Sequence, residues 1–304
     1  KESRNFANKL WNAARFILMN LHEGVSDERL PEQITAMEDK WVLSKFNALA
    51  GEVTENLEHF ELGIAVSKLY DFIWDVFCDW YIELAKARLS GEDPAAADDA
   101  RHVLVYVMTG ILKLLHPFMP FITEEIWQSM PHTGEALMVS SWPVFQETLR
   151  FDEEEVEFER VIAAIRGIRN RRSEMNVPPS KKAKLLIETP YAETFRSGIP
   201  FFQRLASASD VVVDEQVEHA SDAVSIVTDS ARVFIPMEEL VDREKERQRL
   251  QKELAGAEKE LAGVQAKLNN PGFLSKAPEN VVNGERERMA RITEKIEKLK
   301  ASLN

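Results

Sequence analysis

The chain has 304 residues, a length that favours two or three domains over a single core. Hydrophobic residues make up 44% and charged residues 29%, which is typical of soluble globular proteins, and no apolar stretch approaches the ~18 to 20 residues of a membrane span. The single cysteine, Cys78, excludes an intramolecular disulfide and a cysteine-rich zinc site. We therefore expect a cytoplasmic protein.

The acidic residues are unevenly distributed along the chain. The formal net charge of −13, taken as a whole, argues against a nucleic-acid partner, because Lys and Arg drive phosphate binding. Residues 241–304, however, hold 14 basic and 11 acidic side chains, against 24 basic and 40 acidic in residues 1–240. The chain begins with Lys1 and with helical periodicity, which we interpret as the start of an excised fragment.

Residues 1–178 are predicted to form a bundle of amphipathic helices. One apolar face comprises Leu62, Val66, Leu69, Ile73, Val76, Phe77, Trp80 and Leu84. A second comprises Val103, Leu104, Val107, Met108, Ile111, Leu112 and Leu115. Asp93 and Pro94 between them predict a helix start, and hence a helical hairpin. A further helix is predicted over about residues 152–174, before Pro178 and Pro179.

The periodicity then changes twice. Short strands are predicted over residues 184–188, 211–215, 224–228 and 232–236, so residues 179–239 should form a small α+β domain. Residues 240–304 carry two heptad seams joined by a turn signature at 269–273, which predicts an antiparallel coiled-coil arm. The seams are Leu250, Leu254, Ala257, Leu261, Val264 and Leu268, then Met289, Ile292, Ile296, Leu299 and Leu303. Such seams also suit a non-enzymatic helical protein that holds a partner helix.

Residue patterns typical of catalysis are missing from the sequence. The twelve glycines form no G-x-G, so no phosphate-cradling loop is predicted. Asp98 and His102 are four residues apart, but without a third ligand they suit a helix-start acid and an ordinary histidine better than a metal site. The acids at 152–155 are expected to be solvated at a helix start. We predict no catalytic residue and no metal site in this chain.

Two groups of side chains could recognise nucleic acid. On the first helix, the stripe Asn5, Lys9, Asn12 and Phe16 combines amides, a cation and a ring, which suit base edges, phosphate and base stacking. The same stripe also fits a solvated helix face with its ring packed against a neighbour. Residues 166–184 hold seven Lys or Arg against one acid. This cluster could contact phosphates or could be a solvated helix end.

Several motifs resemble the anticodon-binding region of class I synthetases for valine, isoleucine and leucine. They are RNFANKLWNAARF (4–16), DKWVLSKFN (39–47), FCDWYIELAK (77–86), LKLLHPFMPFITEEIW (112–127) and IRNRRSEMNVPPSKK (168–182). Within the heptad hairpin, KAPENVVNGERER (276–288) is similar to valyl-tRNA synthetases in particular, and the lack of C-terminal zinc-ligand cysteines agrees. The isoleucine enzyme remains an alternative. Asn283 and Gly284 depart from a strong helix former at this point of the arm.

The resemblance implies a mainly α fold: an anticodon-binding helical bundle, a small linking α+β domain and a coiled-coil arm that touches the outer corner of tRNA. It implies an anticodon pocket in which Phe16 stacks a base, Lys9 contacts a base edge or phosphate, and Ile82 closes the site. The implied pocket residues are Arg4, Asn5, Lys9, Asn12, Phe16 and Ile82. The implied backbone or arm contacts are Arg166, Arg169, Arg171, Arg172, Arg243, Arg247, Arg288, Arg291 and Lys295.

The resemblance also implies a parent enzyme that uses ATP with magnesium to join valine to tRNA(Val). The family signature motifs H-I-G-H and K-M-S-K-S are absent from these 304 residues. We therefore expect this chain alone to be inactive and to hold no cofactor, with the catalytic and editing domains outside it. The expected partner is tRNA(Val), without DNA or a membrane, and the expected state is a monomer.

Overall fold

The computed structural model describes residues 2–22, 25, 27–240, 243–269 and 279–303, with the backbone alone at 2–3, 243–251, 253, 279–280, 295 and 298–303. Contacts divide the chain into two compact units, Lys1–Phe234 and Ile235–Asn304. The first unit contains both the helical bundle and a small sheet. The predicted three-part division into 1–178, 179–239 and 240–304 stays a prediction. Within the described ranges, every helix is too short or too polar to cross a membrane.

The predicted mainly helical fold is confirmed. The bundle consists of α1 Glu2–Asn20, α2 Met37–Glu58, α3 Leu62–Asp71, a π-helix Phe72–Tyr81, α4 Ile82–Leu89, α5 Pro94–Leu115, α6 Pro120–Ser129 and α7 Asp152–Glu174. Short 3-10 turns follow α6 at Leu137–Val139 and Glu147–Leu149. The predicted helix over 152–174 is confirmed at both ends. Its exit is ordered by Asn176, whose φ of 54° lies in the left-handed region that ends helices.

The predicted helix start at Asp93 is confirmed by its hydrogen bonds. The Asp93 carboxylate accepts from the backbone N–H groups of Ala95 and Ala96 at 3.0 and 3.3 Å, and Pro94 occupies the first helical position. From this start α5 runs through the bundle and packs on α2 and α4. The apolar face predicted for it is buried along its whole length.

The other predicted apolar face is only partly correct. Leu69, Ile73 and Leu84 are fully buried, but Leu62 is 53% and Val66 39% exposed. In α3 the core positions are Ala65 and Leu69. The reason is the π-helix, whose wider turn shifts the helical register. Residues 62–84 that would share one face of a continuous α-helix therefore do not all face the core.

A buried ionic cluster ties α2 to the π-helix and α4. The Tyr81 hydroxyl donates to Asp39 Oδ1 at 2.7 Å, and Arg88 Nη1 contacts Asp39 Oδ2 at 2.5 Å and Glu38 Oε1 at 3.3 Å. Two carboxyls thus share one guanidinium in the protein interior. Burial raises the pKa of Glu38, and the neighbouring charge of Asp39 raises it further. Burial also raises the pKa of Asp39, although Arg88 opposes the shift.

All four predicted strands are present. They are β1 Ala183–Glu188, β2 Ala208–Asp214, β3 Val224–Val227 and β4 Arg232–Ile235, with α8 Ala192–Ser197 and α9 Ile199–Leu205 between β1 and β2. The sheet order is β2-β1-β4-β3, with β1 parallel to β2 and antiparallel to β4. The sheet meets α7 at Gly167, where an added Cβ would lie 2.9 Å from Ile226 Cγ2. Glycine therefore permits the close approach of helix and strand.

The second unit contains α10 Met237–Leu240, α11 Arg243–Leu268 and α12 Glu279–Leu303. The helices α11 and α12 pack along the predicted seams. Ala257, Val264, Ile292 and Ile296 are buried, with Leu254, Leu261, Leu268 and Met289 packed against them. The predicted side-chain roles of Leu250, Leu299 and Leu303, and the turn at 270–273, lie outside the described part of the chain. The seam is filled by the chain's own two helices.

Candidate nucleic-acid interface

The first helix presents two different faces, as its sequence predicts. Leu10 and Ile17 are fully buried on the apolar face. On the polar stripe Asn5 and Asn12 are exposed, and so is Arg4, whereas Lys9 and Phe16 are half-buried. The amides are therefore accessible to a partner, and the cation and the ring are held by neighbours.

Lys9 contacts a carboxylate and an aromatic ring of the π-helix. Its Nζ atom donates to Asp79 Oδ1 at 2.7 Å and lies 3.7 Å from the centroid of the Trp74 ring. Trp74 stacks on Tyr70 at 5.6 Å, and Tyr70 stacks on Phe6 at 5.0 Å. A cation over an aromatic face and beside a carboxylate is attracted by both. The ammonium position is thus set by residues from α1, α3 and the π-helix.

Phe16 and Ile82 have different surroundings. The Lys86 ammonium lies 5.3 Å from the Phe16 ring centroid, within the range of a cation–π contact. Ile82 is buried, with 6% of its surface exposed, at the start of α4. The implied stacking role of Phe16 and the implied pocket-closing role of Ile82 stay predictions.

An open groove of about 800 Å³ runs between the π-helix, the start of α4 and α7. Three acids spaced four residues apart, Asp75, Asp79 and Glu83, line it from the π-helix and α4. Arg166, Arg169 and Asn170 line it from α7, and Cys78 and Trp80 complete the described lining. The groove therefore has an acidic wall and a basic wall.

Trp80 connects the two arginines to the helix that carries the acids. The guanidinium carbons of Arg166 and Arg169 lie 5.6 and 5.9 Å from its ring centroid. The ring restricts these two long side chains, which lowers the entropy they lose when they bind a ligand. Both arginines were predicted from their basic cluster, and the structure brings both to one groove.

Cys78, the only thiol, lies half-buried in this lining. Burial raises the pKa of its thiol to about 12. A thiol with so high a pKa is neutral at physiological pH and is a poor nucleophile. The groove is therefore suited to binding rather than to covalent catalysis by Cys78.

Arg172 is more deeply buried than the other arginines of the basic cluster. This side chain is 5% exposed, and its Nη2 donates to the carbonyl oxygens of Pro178, at 3.3 Å, and Lys181. Burial lowers the pKa of the guanidinium. Arg172 therefore orders the chain between α7 and β1, and its implied phosphate contact stays a prediction. Arg171 is exposed but pairs with Glu174 at 3.1 Å.

A second groove of about 640 Å³ continues from the first, because Glu83 and Arg169 line both. Ser173, Asn176 and Arg204 are among its other polar lining residues. The two grooves together form a path along α7 with Arg169 at the junction. An extended strand of nucleic acid needs such a path, with cations that follow its phosphates.

The arm was predicted to carry five of the contact residues. Arg288 Nη2 contacts Glu260 Oε1 at 2.5 Å, and this carboxylate raises the pKa of Arg288. Arg291 is exposed. The side chains of Arg243, Arg247 and Lys295 lie outside the described residues. Part of the arm's positive charge is thus neutralised within the arm.

The side chains that suited a metal site or a paired-carboxylate site poorly in the sequence have structural partners. His22 Nε2 contacts Asp98 Oδ1 at 2.7 Å, and His102 Nδ1 lies 3.0 Å from the Arg29 carbonyl oxygen. The helix-start acids Glu154 and Glu155 pair with Lys40 and Lys45, rather than being solvated as expected. Among the described side chains, no three potential ligands converge on a metal position.

Sequence reasoning missed Trp74 and the acidic wall. Asp75, Asp79 and Glu83 recur every four residues, a spacing that places side chains on one helix face. Asp79 also falls inside the FCDWYIELAK motif. This spacing could have identified the row, but its position opposite Arg166 and Arg169 depends on how α7 packs, which the spacing does not indicate.

Comparison with known families agrees with these observations. Residues 39–187 match the family described as the anticodon-binding domain of tRNA ligase. Residues 242–304 match the valyl tRNA synthetase tRNA binding arm. The first match contains both walls of the groove, and the second covers α11 and α12.

Individual relatives match almost the whole chain. The chain is 46% identical to a valine–tRNA ligase of Clostridium acetobutylicum, over 99% of this chain and 35% of that protein. It is 43% identical to one of Listeria innocua, over 97% and 35%, and 41% identical to one of Bacillus cereus, over 98% and 34%. The chain thus spans about a third of the length of the relatives it matches.

Proposed function

We propose that this chain, which belongs to the valyl-tRNA synthetase family, binds tRNA for an enzyme that ligates valine to tRNA(Val). The helical bundle would bind the anticodon, and the arm would contact the outer corner of the tRNA. Valine activation with ATP and magnesium, and editing, would take place in domains outside this chain. The chain would act in the cytoplasm as a monomer.

The observation that carries the proposal is the groove with Arg166 and Arg169 against Trp80. Arginines held on a ring supply phosphate contacts, while the carboxylates and Asn170 supply acceptors and donors for base edges. Its volume of about 800 Å³ falls within the range of ~300 to 1,000 Å³ for small-ligand sites. Such a space suits single unpaired nucleotides, as in an anticodon loop, better than a duplex.

The acidic wall also explains how a chain of charge −13 can bind RNA in one orientation. Phosphates placed against Asp75, Asp79 and Glu83 would be repelled, whereas phosphates along α7 would meet Arg166 and Arg169. The backbone would therefore run along α7, with the bases directed toward the π-helix. Lys9, one of the implied anticodon residues on α1, contacts Asp79 on the acidic wall. The bases would therefore lie close to the implied anticodon residues of α1.

The test measures binding of tRNA(Val) to the chain across a salt series. Arg166→Gln combined with Arg169→Gln should weaken binding and make the slope of log K against log salt less negative by about 1.4, the value for two phosphates on a single strand. Arg150→Gln combined with Arg160→Gln is the matched control, because it removes two charges whose side chains contact Asp152 and Tyr191 and line neither groove. Equal effects of both variants would contradict a role for the groove.

A second measurement separates binding from the chemistry of the whole enzyme. The chain alone should show no valine-dependent exchange between ATP and pyrophosphate, because its sequence has no nucleotide-cradling motif. Retention of tRNA(Val) in preference to tRNA(Ile) on a filter would support the valine assignment over the isoleucine alternative. Exchange activity in the isolated chain would contradict the proposed division of labour.

A further inference from the structure

Arg172 is a buried cation without a counter-charge among the described residues. Its side chain is 5% exposed, and its Nη2 donates to the carbonyl oxygens of Pro178 and Lys181. Its Nη1 is also buried but has no hydrogen-bond partner in the described part of the chain. Buried charges are normally paired, because removing an ion from water is costly. An anion from a bound ligand would supply the missing partner.

The groove of about 640 Å³ beside α7 places two more arginines near Arg172. Arg169 and Arg204 line this groove together with Arg172, from α7 and from the end of α9, and both are exposed. Glu83 is the only acid in the described lining, and Lys86 already pairs with it. The groove therefore carries an excess of positive charge.

Hydrogen bonds fix the walls of this groove. Arg172 Nη2 donates to the Pro178 carbonyl oxygen at 3.3 Å, and Ser207 Oγ donates to the Pro179 carbonyl oxygen at 2.9 Å. These bonds tie the turn after α7 both to the helix and to the residues that precede β2. The three arginines thus surround a space that is formed before a ligand enters, which lowers the entropy lost on binding.

A phosphate group matches the chemistry of this lining. Guanidinium groups donate paired N–H bonds to phosphate oxygens and keep their charge at physiological pH. The lining also holds smaller polar side chains that can donate, namely Ser173, Asn176 and Ser207. Because Arg172 Nη1 is covered, Arg172 acts on a ligand through its charge, which is weakly screened in the protein interior. The exposed Arg169 and Arg204 are placed to make the contacts.

We propose that the groove between α7 and the end of α9 is a phosphate-binding site, in which Arg169 and Arg204 contact the phosphate beside the buried charge of Arg172. A backbone phosphate of RNA and a free phosphate compound share this chemistry. The site goes beyond the proposed function, because it requires no base and no anticodon. Arg204 lines this groove and is absent from the described lining of the Trp80 groove.

The first experiment measures thermal unfolding of the chain in inorganic phosphate and in chloride at equal ionic strength. Phosphate that binds the folded state raises Tm with its concentration, and the titration gives an apparent Kd. Phosphate also stabilises proteins by exclusion from their surfaces, so the decisive comparison is between variants. Arg204→Gln should raise the apparent Kd for phosphate by about 10-fold, because it removes a charged hydrogen-bond donor.

Arg196→Gln is the matched control and should leave the apparent Kd unchanged. It removes the same charge from α8, and Arg196 is also exposed but donates to the Val213 carbonyl oxygen at 3.1 Å and lines neither groove. Arg204 is the residue of choice for the test, because Arg172 also holds the turn at Pro178 and its substitution would change the fold as well as the site.

The second experiment measures binding of tRNA(Val) across a salt series and identifies the source of the phosphate. If RNA supplies it, Arg204→Gln should weaken binding and make the slope of log K against log salt less negative by about 0.7 to 0.9, the value for one phosphate. If Arg204→Gln changes only the phosphate titration, the site takes a free phosphate compound. If Arg204→Gln and Arg196→Gln behave alike with both ligands, the inference is overturned, whether or not the chain binds tRNA(Val).

Discussion

The ring of Phe46 covers Gly110 so closely that a Cβ atom at position 110 would lie 2.1 Å from Phe46 Cζ. Phe46 has little freedom to move, because its ring also packs on Phe72 at 5.9 Å and on Tyr106 at 6.0 Å. The contact joins α2 to α5 at the centre of the bundle. Only glycine fits beneath this ring.

Gly110→Ala should therefore destabilise the bundle, although alanine is the better helix former. The expected loss of unfolding free energy is ~1 to 3 kcal/mol, typical of an overpacked core, measured by urea denaturation. Gly63→Ala is the control, since no atom lies within 4 Å of an added Cβ there. That variant should be stabilised by up to ~1 kcal/mol. Equal behaviour of the two variants would contradict the packing argument.

Arg88→Met should cost the bundle about 3 to 5 kcal/mol of unfolding free energy, because it leaves the buried carboxyls of Glu38 and Asp39 without their cation. Glu38→Gln should instead stabilise the protein at pH 7. It leaves one carboxylate against one guanidinium, with the Tyr81 hydroxyl still bound to Asp39. Thermal unfolding of the two variants at pH 7 compares them directly.

The benefit of Glu38→Gln should depend on pH. The folded pKa of Glu38 is raised by burial, so the folded state binds its proton more tightly than the unfolded state does. Its contribution to stability is complete below the unfolded pKa and is lost as pH rises through the folded pKa. The stability difference between variant and native chain should therefore shrink toward acidic pH. A difference that is constant with pH would mean that Glu38 has the same pKa in the folded and unfolded states, and would contradict the effect of burial.

Cys78 should react slowly with alkylating agents. With a pKa of about 12, only about one thiol in ten thousand is ionised at pH 8. Alkylation by iodoacetamide at pH 8 should be slower by about 40- to 100-fold in the folded chain than in 8 M urea, after allowing for the greater reactivity of high-pKa thiolates. Comparable rates in both states would mean that the thiol is not desolvated.

The elements that were predictable from the sequence depend on local chemistry. Asp93 with Pro94 fixed the start of α5 because capping involves only neighbouring residues. The alternating pattern of the four strands was equally local. The coiled-coil seams followed from heptad spacing, and Ala257, Val264, Ile292 and Ile296 are buried as expected.

The features that were not predictable depend on tertiary packing. The π-helix over Phe72–Tyr81 shifts the register between α3 and α4, and no motif in its sequence signals the wider turn. The exposure of Leu62 and Val66 follows from that shift. Arg172 resembled its neighbours Arg169 and Arg171 in sequence, but the fold buries it beneath the turn that leads to β1. The contact of Arg172 with the Pro178 carbonyl oxygen depends on its place on α7, which its residue type does not indicate.

The arm should act as an electrostatic clamp with little influence on which tRNA is chosen. Along its described side chains the apolar seam is filled by α11 packing on α12, which leaves the outer faces of this part for a partner. Deleting residues 240–304 should lower the affinity for tRNA(Val) and flatten the salt dependence by about one log unit for each phosphate that the arm no longer neutralises. Filter binding and gel filtration, with and without the arm, test this. An unchanged slope with a shift from dimer to monomer would favour oligomerisation as the arm's role.

Individual charges in the arm offer a sharper test of the clamp. Glu260 contacts the Arg288 guanidinium at 2.5 Å and so offsets a cation that could otherwise meet phosphate. Glu260→Gln should therefore raise tRNA affinity and steepen the salt slope, because it releases Arg288. Glu287→Gln removes the same charge from the residue that precedes Arg288 in the sequence, and it should have a smaller effect. If Arg288→Gln is combined with Glu260→Gln, the gain should disappear. A gain that persists without Arg288, or that Glu287→Gln matches, would mean that net charge alone sets the arm's affinity for tRNA.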